Sequence, residues 1–184
     1  SSPIQISGSI WSRIGGDPDG GLLATKQDGT LWSWGDNEDG NLGQNQNHTV
    51  LNSISSPMQV GTGTNWQYLA KGDTSVRAAQ MASKNDGTLW TWGYNDNGDL
   101  GINDSSGSGR SSPCQVGTDT TWPQDGNSKM VLGYLCKFAI KTDGTLWAWG
   151  AGSSGQSGTD KPTASPANIS RSSPTQVGTE TTWK

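Results

Sequence analysis

One short string occurs three times along the chain. DGTLWSWG begins at Asp28, DGTLWTWG at Asp86 and DGTLWAWG at Asp143, 58 and 57 residues apart. A second motif, Ser-Ser-Pro-x-Gln followed by Ile or Val, recurs around Pro3, Pro57, Pro113 and Pro174, and a tryptophan follows each at Trp11, Trp66, Trp122 and Trp183. Tandem units of this length cannot each bury their own apolar face. They must stack on one another, so the chain is a repeat array before it is anything else.

Each landmark has a local physical meaning. Asp-Gly is a strong hairpin signal because glycine takes a positive φ without a Cβ penalty. The run Lys137-Phe138-Ala139-Ile140-Lys141 predicts one strand and Thr145-Leu146-Trp147-Ala148-Trp149 its partner, with the Asp143-Gly144 turn between them. Leu and Trp adjoin in the second strand, so both of its faces are apolar, as in a sheet covered on both sides. Gly35, Gly93 and Gly150 end that strand, and glycine-punctuated polar turns follow. Leu42-Gly43 and Leu100-Gly101 close two of these turns, whereas the third copy has Ser157-Gly158.

The 184 residues suffice for one domain. Repeats are expected at about 1–54, 55–110 and 111–171, with a partial fourth at 172–184. Only 29% of residues are apolar and 27 are glycine, which suits short strands and tight turns; ten tryptophans separate the chain from disordered Gly/Ser-rich sequence. A net charge of −4 with no basic run argues against nucleic acid, and no apolar stretch approaches a membrane span. Of the two cysteines, Cys114 stands where other copies have Ile4, Met58 and Thr175, a small hydrophobe rather than a ligand.

On these motifs, DGTLWxWG, the following N-x-x-G-x-L-G at Asn37 to Gly43 and Asn95 to Gly101, and SSPxQV, the chain resembles the regulator of chromosome condensation repeat family. The resemblance implies an all-β fold, a β-propeller built of blades of four antiparallel strands. It also implies an incomplete ring, because three copies and a partial fourth fall short of the family's usual seven blades. The family often carries a Gly-x-x-His-Thr segment before the hairpin; residues 16–24, 72–81 and 133–140 contain no histidine. The functional theme implied is protein binding by propeller loops.

The Trp pairs Trp32/Trp34, Trp90/Trp92 and Trp147/Trp149 recur in every copy and are expected to serve the repeat core rather than a ligand. The acidic turn at 94–99 does not keep EF-hand spacing, and the only histidine, His48, lies in a polar loop without a nucleophile pattern, so neither metal nor cofactor nor catalytic residue is expected. Binding candidates are the non-repeating long or aromatic groups Arg13, Tyr68, Arg77, Tyr94, Arg110, Tyr134 and Arg171.

The expectation is a non-enzymatic binding or adhesion module, displayed on a virion as a tail fibre or appendage or on a cell surface, that meets a protein or glycan receptor. A structural block whose copies complete a ring or fibre is the first rival. A propeller enzyme acting on polysaccharide is the second.

Overall fold

The computed structural model describes residues 2, 4–6, 10–17, 20–72, 79–124, 129–159 and 170–184. Within them the chain is all β, as the repeat pattern requires. Three four-stranded antiparallel blades follow one another. Blade 1 is β1 (Trp11–Asp17), β2 (Gly21–Lys26), β3 (Leu31–Asp36) and β4 (Ser53–Gln59). Blade 2 starts with β5 (Trp66–Leu69), passes through a two-residue strand β6 (Lys71–Gly72), and continues as β7 (Ala79–Lys84), β8 (Leu89–Gly93) and β9 (Arg110–Gln115). Blade 3 is β10 (Met130–Leu132), β11 (Cys136–Ile140), β12 (Leu146–Gly150) and β13 (Arg171–Gln176). The strand β6 lies parallel to both β1 and β10, so the inner edges of all three blades meet where it passes.

The middle two strands of each blade are the expected hairpin about the Asp-Gly turn. The proline motif has a different place from the start of a repeat. In β4, β9 and β13 it forms the outer strand of the blade already begun. An outer edge is where a residue without an N–H costs no ladder bond. Blades therefore run one strand out of phase with repeats counted from that motif, and residues 171–176 complete blade 3. Each outer ladder shifts register at the strand-ending glycine: Gly35, Gly93 and Gly150 have φ of 109°, 96° and 92°.

The core lies between blades rather than inside one. Leu23, Leu31 and Val60 of blade 1 and its connector pack against Trp66, Ala82 and Trp92 of blade 2. Met81, Leu89 and Val116 pack in the same way against Trp122, Met130, Ala139 and Trp149. The second tryptophan of each later pair also reaches back: Trp92 donates to the Asn41 carbonyl at 2.9 Å and Trp149 to the Asp99 carbonyl at 3.0 Å. Blades 2 and 3 thus each plug an indole into the N-x-x-G-x-L-G turn of the blade before. Those turns are themselves held by Asn37 and Asn95, whose side chains bond backbone on both sides of the loop.

The first and last faces lack such a neighbour among the described residues. Trp34, equivalent to Trp92 and Trp149, is half-buried where they are fully buried. Ile14 is 71% exposed, and Leu22 beside it is exposed too. At the other end Trp183 is 43% exposed, although Trp66 and Trp122 in the same position are 6% and 2% exposed.

Candidate functional site

Three equivalent niches sit at the roots of the hairpins. In each, the connector tryptophan meets the Trp-x-Trp pair edge to face or tilted, with centroids 5.9–6.3 Å apart. A lysine two residues before the Asp-Gly turn lies over this stack. Lys26 is 3.7 Å from the Trp32 ring, Lys84 is 3.9 Å from Trp90 and Lys141 is 4.0 Å from Trp147. Each is also within 5.0 Å of its connector tryptophan. The attraction of an ammonium for an indole face is worth roughly 0.5–2 kcal/mol, more as water is excluded. Lys26, Lys84 and Lys141 were legible as a fourth repeating position, but a charge on a strand reads first as a solvated surface.

The turn aspartates belong to the same niches. Asp28, Asp86 and Asp143 each accept from the backbone N–H and hydroxyl of Thr30, Thr88 or Thr145. Those hydroxyls in turn accept from Trp32, Trp90 and Trp147. The threonine hydrogen bonds hold all three carboxyls below their ordinary range. Lys84 is pushed down by partial burial, against the opposing pull of Asp86.

Between blades 1 and 2 the niche of Lys26 opens into a groove of about 370 Å³. Arg13, Lys26, Asp28, Asn65, Gln67 and Asn85 line it. The Arg13 guanidinium lies 4.5 Å from the centre of the Tyr68 ring, so two sequence candidates meet here. No described carboxylate is within ion-pair distance of Arg13 or Lys26. A second pocket of about 200 Å³, lined by Asp119, Trp122, Lys141, Trp147 and Pro174 among others, lies between blades 2 and 3.

The other candidates scatter. Tyr68 and Tyr94 are buried, Tyr68 in the core cluster shared by blades 2 and 3, and the Tyr94 hydroxyl donates to Asp96 at 2.7 Å. Arg110 and Arg171 begin the outer strands β9 and β13, opposite Gly93 and Gly150. Arg110 pairs with Asp104 at 2.5 Å, and the buried Nε of Arg171 has no acceptor among the described residues. Tyr134 stands exposed between β10 and β11. Arg77 lies outside the described residues. Of the core pairs, Trp92 and Trp149 are fully buried, while Trp32, Trp90 and Trp147 are half-buried beneath their lysines. Cys136 is buried and Cys114 half-buried, both as free thiols. Among the described residues no group of three His, Cys, Asp or Glu could hold a metal ion. Among the described residues no helix is long and apolar enough to cross a membrane.

With blades, hairpins and niches in place, the class is a propeller repeat protein. Residues 28–78 and 86–127 match the regulator of chromosome condensation (RCC1) repeat, and the chain belongs to that family. It is similar in fold to yeast RCC1 (Prp20) in its crystal structure bound to Kap60: TM-score 0.73, 18% identity, over 92% of this chain and 37% of that one. Prp20p from Saccharomyces cerevisiae, in a structure presented with its binding to Gsp1p and histones, gives 0.73 and 18%, over 92% and 38% of the two chains. Human WBSCR16 gives 0.71 and 19%, over 95% and 39%. The chain spans less than half the length of these proteins.

Proposed function

We propose that this chain is a non-catalytic binding module that holds a protein or glycan at the groove between blades 1 and 2. The observation that carries the reading is the pair of cations in that groove. Arg13 rests on Tyr68 and Lys26 on Trp32, each held by an aromatic face and neither within ion-pair distance of a described carboxylate. Cations pre-positioned on rings lose little freedom when a ligand arrives, and polar donors from Asn65, Gln67 and Asn85 surround them. Display on a virion or cell surface goes with this proposal. The variable polar connections and acidic balance suit an exposed scaffold.

Catalysis on polysaccharide fits the site poorly. A glycosidase acid needs a raised pKa, and the groove's Asp28 is held low by Thr30. The test is a glycan array and a pull-down with native protein and with Arg13→Ala/Lys26→Ala. A partner retained by the native chain and lost by the folded variant supports the groove. The same partners on both would refute it. Immunolabelling of intact particles or cells tests the display.

A second reading, copies joining to complete a ring or fibre, is favoured by the uncovered faces at Ile14, Leu22 and Trp183. One feature opposes it. Trp11 already fills, against Trp32 and Trp34, the place that Trp183 of another copy would need. Sedimentation velocity over a wide concentration range decides: a persistent monomer ends this reading, and a concentration-dependent oligomer revives it.

A further inference from the structure

The three connectors that follow the blades differ at one position, and the first two of them supply the tryptophans of the Lys84 and Lys141 niches. Between the outer strand of one blade and the tryptophan of the next, the second connector reads Gly-Thr-Asp119-Thr-Thr-Trp122 and the first reads Gly-Thr-Gly63-Thr-Asn-Trp66. The third has Glu180 there, ahead of Trp183. Backbone placement makes these positions equivalent. Gly61, Gly117 and Gly178 share φ of 58°, 59° and 64°, and Trp66, Trp122 and Trp183 each donate their backbone N–H to the carbonyl of the preceding Asp-Gly glycine.

Asp119 uses its position to reach forward. Its carboxylate accepts from Lys141 Nζ at 2.5 Å, over the Trp122 and Trp147 rings. The Asp119 side chain is 57% exposed, so the carboxylate approaches from the solvent side and leaves only 7% of the Lys141 side chain exposed. Lys84 stands on Trp66 and Trp90 in the same geometry, but glycine replaces the carboxylate, and Lys84 is only half-buried. Its sequence neighbour Asp86 acts on Lys84 through space but stays beyond ion-pair distance, its oxygens engaged by Thr88 and by Asn65. Among the described residues no carboxylate pairs with Lys84.

We infer that the niche of Lys84, Trp66 and Trp90 is a binding site for an external carboxylate, which takes the place that Asp119 fills in the next niche. The shared chemistry is a single carboxylate presented from solvent to an ammonium already fixed on two indoles. Such a charge-assisted bond is stronger than a neutral one. The partial burial that lowers the Lys84 pKa makes a neutralising partner more favourable there. The inference does not depend on the groove, since Arg13 and Lys26 take no part in it.

The experiment follows the Lys84 side-chain methylene signal by NMR in the full chain, assigned with Lys84→Gln. Sodium acetate, N-acetylaspartate and sodium glucuronate are titrated at constant ionic strength, with glucose as the neutral control. A saturable shift with the three carboxylates, on the order of millimolar, and none with glucose is expected. Equal affinities assign recognition to the carboxylate alone, and tighter glucuronate points to a sugar source. Gly63→Asp supplies the carboxylate internally, so it should weaken the external ligand at least about tenfold and raise the Lys84 pKa. Gly63→Ala sets a Cβ 3.1 Å from the Trp66 Nε1 and adds bulk without charge, so it measures what bulk alone costs, and Gly63→Asp should weaken the ligand well beyond it. No saturable Lys84 shift in the native chain, or an equal shift in Gly63→Asp, overturns the site.

Discussion

Lys137 and Asp99 form the buried ion pair of the molecule's described interior, at 3.3 Å, with side chains 2% and 0% exposed. The position is a joint between blades. Lys137 pairs across its hairpin with Trp149, as Gln80 does with Trp92 and Leu22 with Trp34. Asp99 sits in the turn that accepts the Trp149 indole, as Asn41 does for Trp92. One joint is therefore ionic and the other neutral, with Gln80 donating to the Gly21 carbonyl at 2.9 Å. Removing one charge leaves the other uncompensated, so Lys137→Met should cost about 3–5 kcal/mol in chemical denaturation. Asp99→Asn/Lys137→Gln, which copies the neutral joint, should recover most of that loss. Cys136, next in the chain, is pushed up to about 11 by burial. Its thiol should resist iodoacetamide at pH 8 in the folded chain and react on unfolding, as mass spectrometry would show. Because its folded pKa is raised, that contribution to stability is complete below the ordinary thiol value of 9.0 and fades as pH climbs toward 11. At this scale the tryptophans were legible because they repeat. The joint was not, because Leu22, Gln80 and Lys137 share a place but no chemistry.

The hairpin is the element on which the sequence speaks most directly, and the reason is the turn glycine. A Cβ on Gly87 would overlap the Thr120 carbonyl oxygen, just as Gly29 meets Thr64 and Gly144 meets Thr181. The turn thus lies flat on the connector to the next blade, at φ of 81° for Gly87. Gly61 also has a positive φ, 58°, but nothing within 4 Å of its missing Cβ. Gly61→Ala should therefore cost only the backbone strain, about 1 kcal/mol, whereas Gly87→Ala should exceed about 3 kcal/mol by the same denaturation measurement. The aspartate of each turn adds a pH dependence. Its folded pKa lies below the unfolded value near 3.8, so its contribution is present above that value and is lost as pH falls through the lowered one. Thr88→Val should return the Asp86 pKa toward 3.8 in carboxyl NMR titration while leaving Asp28 and Asp143 alone. The outer strand was the part that spacing could not assign. Ser-Ser-Pro-x-Gln marks a position in the period, but only the ladder shows whether it closes one blade or opens another.

For the whole molecule the decisive quantity is how far each blade depends on its neighbour. Both buried clusters of the described residues join two blades, and the first two connectors each deliver a tryptophan to the blade ahead. The third connector is laid down in the same way, with Trp183 donating to the Gly144 carbonyl at 3.2 Å, yet its ring has no Trp pair to meet among the described residues. The same side chain therefore has different worth at different points of the array. Trp122→Ala removes an indole from between blades 2 and 3 and should cost about 3–5 kcal/mol. Trp183→Ala removes one that is half in water and should change stability by no more than about 0.5 kcal/mol. Leu42 and Leu100 anchor the turns of the first two blades, and Ser157 holds that place in the third, so the last face offers a following blade a weaker seat. If Trp183→Ala proves as costly in thermal denaturation as Trp122→Ala, the exposed ring has found a partner in solution. The uncovered face of blade 3 is then an occupied interface, and the concentration dependence of that melting temperature would show whether the occupant is another copy.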